Sequence, residues 1–287
     1  MSREHHERNR RSWNAATRAH NSHKVNQADF LRDGGRTLFP EEIELLGEIR
    51  GRRLAHLQCN SGQDSLSLAS LGAEVTGIDI SDEAIAFAHR LSAESGIPCR
   101  FVRADVYDWL HEAADRGDAY DVIFCSYGAL PWLSSIEAWA RGVARVLVPR
   151  GVLVMVEFHP VMMMFDEDWN LRYPYSSDGQ AVEEPAGVGD YVSTSGEGLA
   201  PSGFRSGVEG FENPEPSSEF YWGVGQVLEA ITGAGLRLEC LREYPYANGC
   251  RVGKEMRELS GRRYLPPEGV PSIPMMYGVV ARRPARE

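Results

Sequence analysis

The class of fold is indicated first by residues 56–81, HLQCNSGQDSLSLASLGAEVTGIDIS. Apolar residues at 54–59 predict a strand, residues 65–71 predict a helix that ends at Gly72, and residues 75–79 predict a second strand. A strand, a helix and another strand in this order are typical of a parallel sheet whose strands are joined by helices.

The same alternation continues toward the C-terminus. Further strands are predicted at residues 100–105, 121–126, 152–158, 236–244 and 274–281. Helices are predicted at residues 106–114, 134–147 and 222–234, with Ser134 as the N-cap of the second. Together these elements predict an α/β protein with a doubly wound sheet and helices on both of its faces.

Two further segments flank or interrupt the predicted sheet. Residues 1–45 predict a helical extension, because Trp13, Ala16, His20 and His23 fall on one helix face. Residues 159–217 are rich in Gly, Pro, Ser and acidic residues, which is typical of a long insertion that forms a lid or a binding loop. The remaining residues, 46–158 and 218–287, are expected to form the ligand-binding domain.

Charge and composition exclude several classes of function. The net charge of -11, with only Lys24 and Lys254 as lysines, argues against a phosphate backbone as the main partner. No apolar run approaches the roughly 20 residues of a membrane helix, and the polar N-terminus lacks the apolar middle of a signal peptide. We therefore expect a cytoplasmic protein with no nucleic-acid or membrane partner.

The cysteines and histidines do not form a recognisable metal or redox motif. The five cysteines are scattered and contain no CxxC pair, which argues against a zinc ribbon or a redox dithiol. The N-terminal histidines lack an acid or cysteine to complete a ligand set, so no metal is expected.

Two acids lie where ligands bind in open α/β sheets, at the carboxyl ends of the strands. Asp79 ends the second strand, where a carboxylate can accept hydrogen bonds from both hydroxyls of a ribose. Asp105 ends the third strand, where its carboxylate can accept a hydrogen bond from an adenine amino group while the Val106 backbone N–H donates to a ring nitrogen. Either acid alone could simply end a strand or cap a helix. At consecutive strand ends, the pair favours a nucleoside ligand.

The chain resembles the class I S-adenosylmethionine-dependent methyltransferases. The resemblance is carried by the opening stretch and by FVRADVYD (101–108), YDVIFCSYGALPWL (120–133) and VLVPRGVLVMVEFHP (146–160). It implies a Rossmann-like, seven-stranded sheet that is mostly parallel with the last strand antiparallel, and S-adenosylmethionine as the cofactor. The cofactor-binding residues that it implies are Gln58, Asn60, Gly62, Asp79, Ile80, Asp105, Val106, Ser126 and Tyr127.

The first motif departs from the family pattern. His56, Gln58 and Asn60 stand where the family has an acid and its first two glycines, and only Gly62 is retained. Asn tolerates the left-handed backbone conformation better than most residues, which reduces the cost of losing a glycine.

His159 and Glu157 are the candidate catalytic residues, because both lie at the end of the fifth strand, which faces the cofactor's methyl group. An imidazole with an ordinary pKa near 6.5 suits proton abstraction near neutrality, and Glu157 is expected to orient or acidify the site. The alternatives are that His159 hydrogen-bonds a loop and that Glu157 is solvated.

Aromatic residues and the N-terminal helix are candidates for the acceptor pocket. Aromatic faces can stabilise a sulfonium and enclose an apolar acceptor. The predicted acceptor-binding residues are Trp13, His20, Tyr127, Trp132, Tyr173 and Trp222. The helix is either a lid over the cofactor or an oligomer contact, so a homo-oligomer stays open.

These observations predict methyl transfer from S-adenosylmethionine to a small organic acceptor in specialised metabolism. One alternative is a non-catalytic relative that binds the cofactor, because the glycine loop is eroded. Another is a nucleic-acid methyltransferase of the same fold, which the net charge opposes. A nicotinamide dehydrogenase is excluded by the missing phosphate-binding glycines.

Overall fold

The computed structural model describes residues 3–285, and three helices precede its first strand. These are α1 (Arg3–Ser22), α2 (Gln27–Arg32) and α3 (Pro40–Leu46). The buried face of α1 is largely polar, and it includes Asn9, Ser12 and Thr17. The helix is therefore held to the rest of the protein mainly by hydrogen bonds.

Strands and helices alternate through the middle of the chain, as predicted. The elements are β1 (Arg53–Leu57), α4 (Gln63–Ser70), β2 (Glu74–Asp79), α5 (Asp82–Ser95), β3 (Arg100–Arg103), α6 (Val106–Arg116), β4 (Tyr120–Ser126), α7 (Ile136–Val146) and β5 (Leu147–Phe158). Glycines in the left-handed conformation end α5 and α6, where a side chain would be strained.

The insertion and the C-terminal part contain shorter elements. They are β6 (Val182–Glu184), α8 (Tyr191–Ser195), β7 (Ser217–Glu219), α9 (Val224–Gly233), β8 (Arg237–Tyr244), β9 (Ala247–Asn248), β10 (Arg257–Leu259), β11 (Arg263–Leu265) and β12 (Met276–Arg282). β6 pairs with β7, and β9, β10 and β11 form a separate three-stranded sheet. The predicted division into extension, binding domain and insertion stays a prediction.

The main sheet has seven strands in the order β3-β2-β1-β4-β5-β12-β8. β1 pairs in parallel with both β2 and β4, and β12 is antiparallel to its neighbours β5 and β8. The predicted seven-stranded, doubly wound sheet with an antiparallel last strand is confirmed. The strand order reverses between β1 and β4, so the carboxyl ends of these two strands open a crevice for a ligand.

Apolar side chains fill both faces of this sheet. One core contains Leu110 of α6, Trp139 of α7 and Ile231 of α9, and all three are almost completely buried. A core on the other face includes Leu66 of α4 and Leu91 of α5. The two layers fix the strand ends, and therefore the residues that follow them.

Some predicted details are wrong, and the small three-stranded sheet was missed. Ser135, not Ser134, caps α7, because its Oγ accepts the N–H of Ala138 at 3.2 Å, whereas Ser134 Oγ bonds to His6 Nε2 at 2.8 Å. β5 begins at Leu147, before the predicted turn. The three-stranded sheet was missed because its strands are very short and every residue of β10 is exposed, which leaves no apolar alternation to recognise.

Within residues 3–285, no helix is long and apolar enough to span a membrane.

Candidate functional site

A cavity of about 940 Å³ opens at the carboxyl ends of the parallel strands. Its volume is within the range of small-molecule and cofactor sites. It is lined by eight of the nine predicted cofactor residues, Gln58, Asn60, Asp79, Ile80, Asp105, Val106, Ser126 and Tyr127. Of the other predicted acceptor residues, Trp13, Trp132 and Tyr173 line it. The sheet therefore brings most of the predicted site together.

The loop between β1 and α4 forms the floor of the cavity without the glycines of the family motif. Gln58 and Asn60 adopt left-handed backbone conformations, with φ of 53° and 49°. The Gln58 Nε2 amide donates to the Ala129 carbonyl at 2.7 Å, which ties this loop to the one after β4. The backbone at these two residues therefore follows the path that glycines usually allow.

Asp79 is held rigidly at the end of β2. Its two carboxylate oxygens accept the backbone N–H groups of Asn60 and Ser81, each at 2.8 Å. Burial raises the pKa of Asp79 to about 6, although these backbone N–H groups oppose the shift. A carboxylate fixed in this way retains lone pairs that can accept hydrogen bonds from a ligand's hydroxyl groups.

Asp105 caps a helix and also lies in the cavity. Its Oδ1 accepts the Tyr107 N–H at 2.9 Å and caps α6, while the residue also lines the cavity. Its Oδ2 lies 2.6 Å from His6 Nδ1 on α1. Burial raises the pKa of Asp105, but the bond to His6 and the backbone donors outweigh it, and the net pKa is lowered.

Gly62 does not line the cavity, although the resemblance placed it there. A Cβ at this position would lie 2.7 Å from both Ala88 Cβ and Phe101 Cζ, and the backbone φ is +81°. Close packing of the loop against α5 is therefore what this glycine permits.

His159 and Glu157 lie outside the described lining of the cavity. His159 Nε2 bonds to Glu243 Oε1 at 3.0 Å, and Nδ1 accepts the Val161 N–H at 3.1 Å, so both ring nitrogens have partners. Burial lowers the pKa of His159, partly offset by Glu243. This geometry favours the alternative in which His159 holds a loop.

Glu157 is a buried anchor for the loop that follows β4. Its two oxygens accept four backbone N–H groups, those of Gly128, Ala129, Leu130 and Phe158. Burial raises the pKa of Glu157, and the four donors oppose this shift. Glu157 is neither solvated nor placed to reach a ligand; it shapes the loop that carries Tyr127.

Two predicted acceptor residues support the cavity from outside its described lining. Trp222 is buried in the core, and its Nε1 donates to the Leu133 carbonyl at 3.0 Å. His20 bonds to the Gly189 carbonyl at 2.9 Å, and its ring lies 4.2 Å from that of Tyr191, which does line the cavity.

The roof of the cavity is aromatic. Trp13 of α1 meets Trp132 edge-on with ring centroids 5.4 Å apart, and Tyr191 of α8 lies 6.4 Å from Trp13. The extension and the insertion therefore meet above the crevice, which fits the lid interpretation of α1.

A second part of the cavity wall is apolar. Tyr127 lies 5.6 Å from the ring of Phe158, and beyond it the wall is formed by Met162, Met163, Phe165 and Val252. The sequence interpretation missed these residues because they come from the start of the insertion and from the C-terminal segment, neither of which shows regular periodicity.

Sequence reasoning also missed several polar residues of the cavity, namely His6, Lys24, Asp64, Asn248 and Arg262. Four of the five lie in the extension or in the small sheet, far in sequence from the recognised motifs. Only the rarity of lysine in this chain marked Lys24. Within residues 3–285, no cluster of three or more His, Cys, Asp or Glu side chains is arranged to hold a metal ion.

Comparison with known proteins identifies the central part of the chain. The family model described as "Methyltransferase domain" matches residues 55–151. Residues 55–151 are a methyltransferase domain. They contain the floor of the cavity together with both acids, so the match and the geometry point to the same site.

Curated relatives share only part of their length with this chain. YqeM of Bacillus subtilis (strain 168) is 30% identical over 137 residues, which are 44% of this chain and 53% of YqeM. The ubiquinone biosynthesis O-methyltransferase of Bordetella avium (strain 197N) is 33% identical over 82 residues, 29% of this chain and 33% of that protein. The chain thus spans about half or less of these relatives.

Solved structures support the fold over most of the chain. An S-adenosylmethionine-dependent methyltransferase from Mesorhizobium loti superposes with a TM-score of 0.53 at 21% identity, covering 87% of this chain and 99% of the other. One from Clostridium acetobutylicum ATCC 824 gives 0.52 at 11% identity, covering 90% and 91%. The chain therefore shares the fold of these S-adenosylmethionine-dependent methyltransferases over most of its length.

The cavity of the methyltransferase domain fits S-adenosylmethionine, the cofactor of this class. Gln58 Oε1 is a buried acceptor without a hydrogen-bond partner among the described residues, and the methionine end of the cofactor carries an ammonium donor. The amide nitrogen of Gln58 already binds Ala129, so the oxygen is its free end. Asp79 and Asp105 supply carboxylates where ribose and adenine donors are expected.

Proposed function

We propose that the protein transfers the methyl group of S-adenosylmethionine to a small organic acceptor. The observation that carries this proposal is the placement of Gln58, Asp79 and Asp105 in one cavity at the strand reversal of a methyltransferase domain. When bound, the cofactor supplies an electrophilic methyl group, so the protein's main tasks are to orient the reactants and to exclude water.

The lining residues divide these tasks between two regions. The loop after β1 and the acids at or just after the ends of β2 and β3 hold the cofactor. Gln58 Oε1 accepts a hydrogen bond from the cofactor's ammonium, and Asp79 accepts hydrogen bonds from the ribose hydroxyls. The aromatic roof of Trp13, Trp132 and Tyr191 closes over this region and keeps water out.

The acceptor occupies the apolar region beyond Tyr127. Its walls suit a partly apolar molecule, because burying apolar surface against apolar side chains is favourable. These side chains are Phe158, Met162, Met163 and Phe165. The enclosure by α1 and the insertion suits a molecule small enough to fit inside the cavity. We propose that the acceptor belongs to specialised metabolism and that the protein acts in the cytoplasm.

The test is production of S-adenosylhomocysteine from S-adenosylmethionine in the presence of a panel of phenols, amines, thiols and carboxylic acids. We expect at least one apolar acceptor to raise the rate above that without acceptor, and Asp79→Ala to abolish the increase. Cofactor binding without stimulation by any acceptor, or by short DNA and RNA duplexes, would support the non-catalytic alternative. Stimulation by the duplexes alone would support the nucleic-acid alternative.

A further inference from the structure

Lys24 is a cation inside the cavity that the rest of the described chain leaves unpaired. It follows α1 and lines the cavity as a half-buried residue. Among residues 3–285, its Nζ makes no hydrogen bond and no salt bridge. Asp64 is the charged group that acts on it, and it does so from a distance.

The other lysine of the chain provides an internal comparison. Lys254 also lines the cavity, but its Nζ lies 3.0 Å from Glu167 Oε1 and 2.8 Å from Asp168 Oδ1. Both of these acids are largely exposed at the rim. Lys254 is therefore already neutralised, whereas Lys24 keeps all three of its N–H donors for a ligand.

The backbone around Lys24 is fixed on both sides. Lys24 forms an antiparallel bridge with Phe204, and the Val25 N–H donates to the Gly203 carbonyl at 3.0 Å. Three residues earlier, Asn21 Nδ2 donates to Ser61 Oγ at 2.8 Å. These bonds hold the start of the Lys24 side chain beside the loop that joins β1 to α4.

The surroundings of Lys24 make an unpaired charge costly. Burial lowers the pKa of Lys24 to about 8, and the attraction of Asp64 opposes this shift. Asp64 itself already accepts the hydroxyl of Thr37. A cation removed from water without a partner is destabilising, and an anionic ligand within reach would restore the lost interactions.

We propose that Lys24 Nζ anchors a carboxylate in this cavity. The inference rests on the proposed function, which brings two molecules here: the methionine end of the cofactor and the acceptor. Either can carry the carboxylate, and a lysine ammonium suits a carboxylate as a charge-assisted hydrogen-bond donor.

The first arm of the test asks whether the carboxylate belongs to the cofactor. S-adenosylhomocysteine and 5′-methylthioadenosine, which lacks the amino-acid end, are titrated by calorimetry into the wild type, Lys24→Met, Lys24→Arg and the control Arg116→Met, which removes a surface cation that pairs with Asp118 away from the cavity. If the cofactor is the source, Lys24→Met weakens S-adenosylhomocysteine about tenfold or more and leaves 5′-methylthioadenosine unchanged. Lys24→Arg restores part of the affinity, and Arg116→Met changes the affinity for neither ligand.

The second arm asks whether the carboxylate belongs to the acceptor. Benzoate and benzyl alcohol are compared by ligand-observed NMR on protein saturated with S-adenosylhomocysteine. If the acceptor is the source, the wild type prefers benzoate, Lys24→Met loses this preference, and S-adenosylhomocysteine binds both proteins equally.

The outcomes separate this inference from the proposed function. If Lys24→Met changes neither S-adenosylhomocysteine affinity nor the benzoate preference, the carboxylate anchor is overturned while the methyltransferase proposal stands. If the wild type binds neither adenosyl compound, the proposed function fails, and the benzoate comparison on the ligand-free protein then decides the inference by itself.

Discussion

His6 Nδ1 of α1 lies 2.6 Å from Oδ2 of Asp105, which follows β3 by two residues and caps α6. The imidazole is nearly parallel to the ring of Tyr107, with centroids 5.3 Å apart and 9° between the planes, and its Nε2 bonds to Ser134 Oγ. Asp105 is also the acid that the family resemblance assigns to adenine. The helical extension and the proposed cofactor region therefore share one carboxylate, so we expect α1 to contribute to cofactor binding.

His6→Ala should loosen this helix over the site. Because it removes a hydrogen bond to a partly buried carboxylate, we expect the free energy of unfolding to fall by about 1–2 kcal/mol. We also expect S-adenosylhomocysteine to dissociate at least several-fold faster, measured by stopped-flow tryptophan fluorescence. His111→Ala, an exposed histidine on α6 paired with Asp115, is the control. Unchanged or slower dissociation from His6→Ala would mean that His6 does not clamp the lid.

Replacing either acid at the strand ends should weaken the cofactor. Asp79→Ala and Asp105→Ala each leave the ligand's donors without a charged acceptor, at a cost of about 1–3 kcal/mol in binding free energy. Titration calorimetry with S-adenosylhomocysteine measures this loss. Asp118→Ala, whose carboxylate pairs with Arg116 at the surface, should bind like the wild type. Wild-type affinity in both strand-end variants would refute the site assignment.

Binding of S-adenosylhomocysteine should weaken as the pH falls through about 6. The folded protein raises the pKa of Asp79 to about 6, and only the ionised carboxylate accepts hydrogen bonds from both ribose hydroxyls. A ligand that prefers the ionised form binds less tightly once that group is protonated. Calorimetry from pH 8 to 5 measures the effect, and Asp79→Asn should show a flatter profile. An equally steep decline in Asp79→Asn would assign the pH dependence to another group.

The same shift has a consequence for the ligand-free protein. The pKa of Asp79 is higher in the folded state than its ordinary value of 3.8, so between pH 4 and 6 the folded state binds more protons than the unfolded state. Stability from this group is therefore largest at low pH and is lost as the pH rises through about 6. At neutral pH, Asp79 favours binding at the expense of the stability of the fold.

Glu157 and His159 should separate structure from catalysis. Glu157→Ala strands the four backbone N–H groups that its carboxylate binds, so we expect the free energy of unfolding to fall by about 3 kcal/mol. His159→Ala should keep S-adenosylhomocysteine affinity and, with a productive acceptor, a turnover within a few-fold of the wild type. Denaturant unfolding and steady-state kinetics are the measurements. A loss of about 100-fold in turnover by a folded His159→Ala would restore it as a general base.

The sheet and the cofactor end of the site were predictable because both are local in sequence. Asp79 and Asp105 each lie at or just after a strand that is recognisable from the apolar residues of the strand. Neighbouring parallel strands place their carboxyl ends at the same edge of the sheet, so the two acids are expected to lie at that edge. The backbone conformation at one of the two replaced glycines was also predictable, because Asn60 adopts the left-handed conformation that asparagine tolerates.

The roles of His159 and Lys24 depend on contacts that the local sequence does not contain. His159 follows β5 as predicted, but its ring is held by Glu243, which is 84 residues away in sequence. Glu243 lies on β8, and the sequence pattern does not show where β8 lies in the sheet. Lys24 reaches the cavity only because the extension folds back against the loop after β1 and against Gly203 in the insertion. Long-range packing of this kind leaves no local pattern in the sequence.

Binding of S-adenosylmethionine in this cavity is measured by calorimetric titration of the purified protein with S-adenosylmethionine, S-adenosylhomocysteine and NADH. We predict micromolar binding of the first two compounds, with a stoichiometry of one per chain, and no binding of NADH. Binding of NADH, or heat from none of the three under conditions where the protein is folded, would contradict this prediction.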